Sequence, residues 1–230
     1  MGWFKNLIIR KKLLVGFIIM AFLAVILSAV GLVSVITLKR LSTELRTLQE
    51  EHNSISAVLD AHYVWKQGIT EAVIIGSEFK GSLDPHTCAL GKWYESEHAK
   101  NISDPELLSK LKQIDEPHKF IHYEAKNVLK LIQDGHLQEA QNHVGKVIYP
   151  RAMEVISLLT DMRTQYSYLV EIKDIESIRV FNFIITLNIT FIIVAVIIGV
   201  FLAFYISKTI SEPLNSMHEQ LLDMLNKLTK

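Results

Sequence analysis

The sequence predicts an all-α protein: an antiparallel four-helix bundle between two transmembrane helices, followed by a short C-terminal coiled-coil helix. Three observations predict it. Residues 13–38 and 180–207 contain no Asp, Glu, Lys or Arg. Between them, apolar residues recur at three- and four-residue steps, the period of a helix with one buried face. Gly76, Gly81, Pro85 and Gly135 interrupt that periodicity where turns are needed.

Taken in order, residues 1–12 form a basic tail with Lys5, Arg10, Lys11 and Lys12. Residues 13–38 exceed the roughly 20 needed for a helix to cross about 30 Å of hydrocarbon, and so do residues 180–207. The first run is also far longer than the roughly 7–15 residues of a signal-peptide core, so it is read as a span and not as a cleaved leader. Four basic residues precede it against Lys39, Arg40 and Arg46 just after it. By the positive-inside rule both termini are expected in the cytoplasm and residues 39–179 outside.

The first bundle helix should continue out of the membrane with Leu41, Leu48, Ile55, Leu59, His62 and Ile69 on one face and Trp65 beside it, ending near Phe79. A shorter helix is expected over about 87–100. A third should start after Ser103 as cap, carry Leu107, Ile114, Ile121, Ala125 and Val128 inward, and stop at Gly135. Pro117 should kink it. The fourth should run from about Leu137 into the second span, with Pro150 as a second kink and Val144, Val155, Leu158 and Met162 inward. Residues 208–230 follow the second span, and Leu214, Met217, Leu221, Met224 and Leu228 step by 3, 4, 3 and 4 as a coiled-coil seam does. That seam asks for a second copy, hence a homodimer.

The chain has 230 residues with 24 basic and 24 acidic side chains, so its charge makes no case for nucleic acid. Its single cysteine, Cys88, closes no disulfide within the chain. No Ser-His-Asp signature, P-loop or Gly-rich nucleotide loop is present, and the sequence predicts no enzyme.

The histidines carry the functional signal. His118 and His122 lie one turn apart on the core face of the third helix. His62 is about 16 residues below the expected end of the first helix and His118 about 15 below the end of the third, which places both roughly 23 Å from the tip. The descending second helix brings Cys88 towards the same layer. Buried polar rings need partners, and three imidazoles with one thiol suit tetrahedral zinc. His86 and His98 flank Cys88 and offer alternative donors. His52, about 15 Å from His62 along the same helix, is read as a core or surface residue. A three-histidine metalloenzyme is the other metal reading, but the sequence places no general base for it.

The segments HYVWK (62–66), CALGKWY (88–94) and HKFIH (118–122) resemble, in order and spacing, the chemoreceptor zinc-binding domain. The resemblance covers about residues 55–165. It implies that His62, Cys88, His118 and His122 bind Zn2+ and that Trp65, Lys66, Leu90, Gly91 and Trp93 are the framework of the motif. FKNLIIRKKLLVGF resembles the start of a bacterial chemoreceptor, and ISKTISEPLNSM resembles the start of a HAMP signal-relay domain.

Together these readings lead to the expectation of a two-pass protein of the bacterial inner membrane with a periplasmic zinc-binding sensor domain. Zinc or redox state would be relayed across the membrane. A chemotaxis kinase complex is an expected partner if the receptor continues beyond Lys230. The alternative is a four-helix receptor for a small molecule in which zinc is only structural.

Overall fold

The computed structural model describes residues 8–228, the last in its backbone only. It is all-helical, with no strand among the described residues. In chain order the helices are α1 (Ile9–Ile74), α2 (Ala89–Tyr94), α3 (Glu97–Lys100), α4 (Pro105–Gln133), α5 (Leu137–His143), a π-helical stretch (Val144–Ile148) and α6 (Tyr149–Leu228). The chain divides into two compact units, Met1–Leu41 with Ser177–Lys230, and Ser42–Glu176.

In the unit Ser42–Glu176, α1 ends at Ile74, five residues before the expected end. Gly76 follows at φ 72°, a left-handed conformation that a side chain would disfavour and that terminates a helix. The expected single helix over 87–100 is two short ones. Cys88 caps α2, and Ser96 restarts the chain as α3 by accepting from the Ala99 N–H. Asp104, not Ser103, caps α4: its side chain accepts from the Leu107 N–H, with Pro105 in the first turn. Gly135, at φ 81°, ends α4 as expected. Pro117 lies inside α4, which runs on through it.

The second proline acts differently from the expectation. Pro150 has no N–H to offer the carbonyl four residues back, and the turn ahead of it widens. Residues Val144–Ile148 are π-helical, and the Tyr149 N–H reaches five residues back to the Val144 carbonyl.

One apolar core joins these elements. Ile55, Leu59, Ile69 and Val73 come from α1, Leu90 and Trp93 from α2, and Ile114, Ile121, Ala125 and Val128 from α4. Ala140, Ile148, Val155, Leu159 and Met162 come from the α5–α6 arm. Val144, Val155 and Met162 are buried as expected, while Leu159 is fully buried and Leu158 only partly so. Gln141 Nε2 donates to the Val73 carbonyl at 2.8 Å, satisfying an acceptor in the last turn of α1.

In the other unit, the two apolar stretches belong to helices long and apolar enough to cross a membrane. Asn188 Nδ2 donates to Ser34 Oγ at 3.1 Å between them. Residues 208–228 do not form a separate helix: α6 continues through Pro213. Lys5 and the first residues of the chemoreceptor-like segment lie outside the described residues, as does the side chain of Leu228.

Candidate metal centre

Four donors converge in the core of the unit Ser42–Glu176. His62 projects from α1, Cys88 stands at the start of α2, and His118 and His122 stack one turn apart on α4. Their ligand atoms all lie within 4.8 Å of one another. All four residues are buried, His122 completely. The His62 and His118 rings are 5.4 Å apart between centroids, and those of His118 and His122 4.7 Å.

Main-chain carbonyls orient the rings. His62 Nδ1 is 2.8 Å from the Val58 carbonyl and His122 Nδ1 is 3.0 Å from that of Ser82. A carbonyl only accepts, so each Nδ1 carries the proton and each neutral ring turns a lone pair outward at Nε2. His62 Nε2 is buried with no hydrogen-bond partner among the described residues. His118 Nε2 lies 3.1 Å from both His122 Nε2 and Cys88 Sγ.

Electron-rich atoms packed this closely repel unless a proton or a cation sits among them. Tetrahedral zinc at about 2.0–2.3 Å from N and S puts neighbouring donors roughly 3.4 Å apart, a spacing that small ring rotations reach from this arrangement. The donor set therefore fits zinc.

Protonation favours the same conclusion. Burial pushes His118 down to about 3, helped by the neighbouring His122 and His62 rings. Burial also pushes His122 down to about 4, against the Ser82 carbonyl, and lowers His62, against the Val58 carbonyl. All three imidazoles are neutral at pH 7, the form that binds metal. Burial raises the Cys88 thiol, opposed by the amide N–H of Gly91, which lies 3.4 Å from Sγ.

The framework residues hold this geometry. Trp65 Nε1 donates to the same Ser82 carbonyl at 2.8 Å, and the Trp65 and His122 rings are 5.0 Å apart. A Cβ on Gly91 would collide with the Pro85 carbonyl and the His86 backbone, so only glycine lets that loop close over Cys88. Leu90 and Trp93 fill the core behind it. Lys66 Nζ lies 5.0 Å from the Tyr149 ring centroid and 3.6 Å from Met153 Sδ, tying α1 to α6.

Of the other histidines, His98, an alternative donor, approaches Glu51 at 4.0 Å, and His52, read as a core or surface residue, has Nε2 3.1 Å from Ser167 Oγ. His86 is exposed. None of the three belongs to the cluster. Sequence reasoning missed the carbonyls of Val58 and Ser82, since every residue has one. Gly81 was the available signal for Ser82: a Cβ there would press on Phe79 and Trp65.

Residues 62–129 match the family model of the chemoreceptor zinc-binding domain. No curated protein and no solved structure matches the chain. The matched domain binds zinc, and the His62, Cys88, His118 and His122 cluster is suited to hold the ion. Chemoreceptor zinc-binding domains are cytoplasmic, which overturns the expectation that residues 39–179 lie in the periplasm. The physical reason is the weakness of the charge signal. Four basic residues before the first apolar stretch against three after it are close to balance and do not orient a chain.

Proposed function

We propose that this chain is a chemoreceptor-type sensor module that reads zinc, or the state of its Cys88 thiolate, through the packing of a helical domain. The reading rests above all on one observation: four buried donors on three segments converge with their ligand atoms all within 4.8 Å of one another. Zinc there would clip α1, the start of α2 and α4 together, in a four-helix bundle completed by the α5–α6 arm. Zinc bound by four protein donors has no open position for a reacting water, so the centre serves structure or sensing and not hydrolysis. Oxidation of Cys88 would remove one ligand and release the clip, which makes redox input a branch of the same mechanism.

The apolar stretches of α1 and α6 anchor the module in a membrane. Phe17, Phe22, Phe183 and Phe204 are each more than half exposed, as side chains facing lipid would be. Because α1 and α6 each run from the zinc domain into an apolar stretch, a change in packing at the centre has a direct path along the helices. The tail after residue 207 acts as the start of a HAMP-like relay, and pairs with a second copy through Leu214, Met217, Leu221 and Met224.

Metal analysis and X-ray absorption on the purified full-length chain test this reading. The expected result is one zinc per chain with three nitrogens and one sulfur in its first shell, and loss of the sulfur in Cys88→Ser. A first shell without sulfur, or no bound zinc, would refute it.

A further inference from the structure

Beside the centre lies a cleft of about 410 Å³, and His62 and Cys88 form part of its wall. Trp65 and Phe79 line it, packed edge to face with centroids 5.7 Å apart. Glu71, Glu78 and Lys80 are its charged lining residues. His62 is only 3% exposed, yet its unpartnered Nε2 belongs to a residue of this wall. A zinc ion with about six waters occupies roughly 180 Å³, at about 30 Å³ per water, so the cleft admits the hydrated ion. The space among the four donors, all within 4.8 Å of one another, admits only the bare ion. Zinc must therefore shed water somewhere on its way in.

We propose that this cleft is the passage by which zinc enters and leaves the centre, and that Glu71 and Glu78 are transient ligands that hold the partly dehydrated ion in the cleft before it passes on to His62 and Cys88. The inference rests on the zinc reading of the centre. Zinc accepts carboxylate oxygen as well as imidazole and thiolate. Gln67 Nε2 donates to Glu71 Oε1 at 2.7 Å and restrains that side chain. At each exchange one coordinated water leaves as one protein donor arrives. As the zinc–sulfur bond forms, the Cys88 S–H bond breaks and its proton passes to water in the cleft; no electron moves. Lys80 opposes the two carboxylates in sign, so its removal should speed passage. Arrival and departure use the same route, so the carboxylates lower the barrier in both directions and leave the equilibrium affinity unchanged.

Stopped-flow kinetics on the zinc-free full-length chain in detergent micelles tests this. Zinc chloride alone starts uptake, followed by tryptophan fluorescence, and excess chelator starts release. In Glu71→Gln/Glu78→Gln, uptake and release should both slow by about tenfold. Glu71→Asp/Glu78→Asp should recover part of the rate, and Lys80→Gln should exceed the wild type. Glu78→Gln alone, at an exposed position, should move both rates in the same direction and serves if the double variant loses helicity. Unchanged rates at one zinc per chain would overturn the passage while leaving the zinc reading intact. Slower uptake with unchanged release would also overturn it, because the carboxylates would then belong to the equilibrium site. A wild-type chain that binds no zinc would overturn both.

Discussion

The His122 imidazole and the Trp65 indole donate to one acceptor, the Ser82 carbonyl, at 3.0 and 2.8 Å. A residue of α1 and a donor on α4 are thereby tied to one point in the loop between α1 and α2. Trp65→Phe keeps most of the ring and removes the N–H, leaving Ser82 held by His122 alone. Zinc should still bind at one per chain, with affinity lower by about 10–100-fold, the usual effect of losing a group that orients a metal ligand. Phe79→Leu disturbs the packing on Trp65 without removing the donor. Competition with a chromophoric chelator measures both, and an equal loss in the two variants would assign the effect to packing.

Zinc binding should release about one proton at pH 7.5, because the imidazoles are already neutral and only the Cys88 thiol must ionise. Calorimetry in two buffers of different ionisation enthalpy counts it, and a release of three would contradict the neutral imidazoles. The same shifts fix a stability trend for the zinc-free protein. His118 and His122 titrate near 6.5 when unfolded and are pushed down to about 3 and about 4 in the fold. Between those values the unfolded chain binds more protons. Stability is therefore fully present above about pH 6.5 and is lost as pH falls from there towards 4 and 3. The thermal midpoint by far-UV circular dichroism should be lower at about pH 5 than at pH 7.5, and the opposite order would refute the assignment.

Gly91→Ala sets two effects against each other. Alanine gains about 1 kcal/mol of helix propensity over glycine. Its Cβ, however, would meet the Pro85 carbonyl and come within 2.6 Å of the His86 carbonyl carbon and oxygen. Overpacking of this kind costs about 1–3 kcal/mol, and the atoms in the way are main chain, which cannot rotate aside. A net loss of stability is expected, with weaker zinc binding as Cys88 moves off His118. Gly145→Ala has nothing within 4 Å and should lose neither stability nor zinc affinity. Thermal scans with and without zinc compare the two.

The helical class was legible because the apolar period and the breaks at Gly76 and Gly135 report directly on backbone conformation. His62, Cys88, His118 and His122 stood out as polar or reactive groups on positions that otherwise carry apolar side chains. What stayed hidden was main-chain chemistry. The Val58 and Ser82 acceptors have no sequence mark, and the π-helical stretch Val144–Ile148 depends on how the chain redistributes hydrogen bonds ahead of Pro150. The placement of residues 39–179 in the periplasm was misread for another reason, since it was inferred from a difference of one charge.

Leu214, Met217, Leu221 and Met224 are all at least half exposed along one continuous helix, so the seam is presented on a single rigid rod. Cysteines introduced at Leu214 or Leu221, in a Cys88→Ser background, should crosslink two chains in a lipid bilayer. Cysteine at His218, off the seam, should crosslink far less. Equal crosslinking at all three positions would indicate random collision in place of a parallel pair.

Removing zinc should loosen the domain around the centre, because the four donors cannot all satisfy one another. His118 Nε2 sits 3.1 Å from both His122 Nε2 and Cys88 Sγ, so one proton on it serves only one of those contacts, and the thiol is 3.3 Å from the Pro85 carbonyl, to which it donates. His62 Nε2 has no partner among the described residues in any case. An unsatisfied buried polar atom costs about 1–3 kcal/mol, so without the ion either water enters through the neighbouring cleft or α1 and α4 shift to separate the rings. Zinc at about a thousand times its dissociation constant adds about 4 kcal/mol to the folded state. For a domain of this size that corresponds to a fall of roughly 10 °C in Tm on chelation. Cys88→Ser keeps three imidazoles and should lose only part of that increment. Hydrogen exchange should show the change concentrated at residues 82–91 and at 118–122, with the far end of the core near Met162 less affected. An unchanged Tm and an unchanged exchange pattern after complete chelation would mean that these four side chains do not hold the metal.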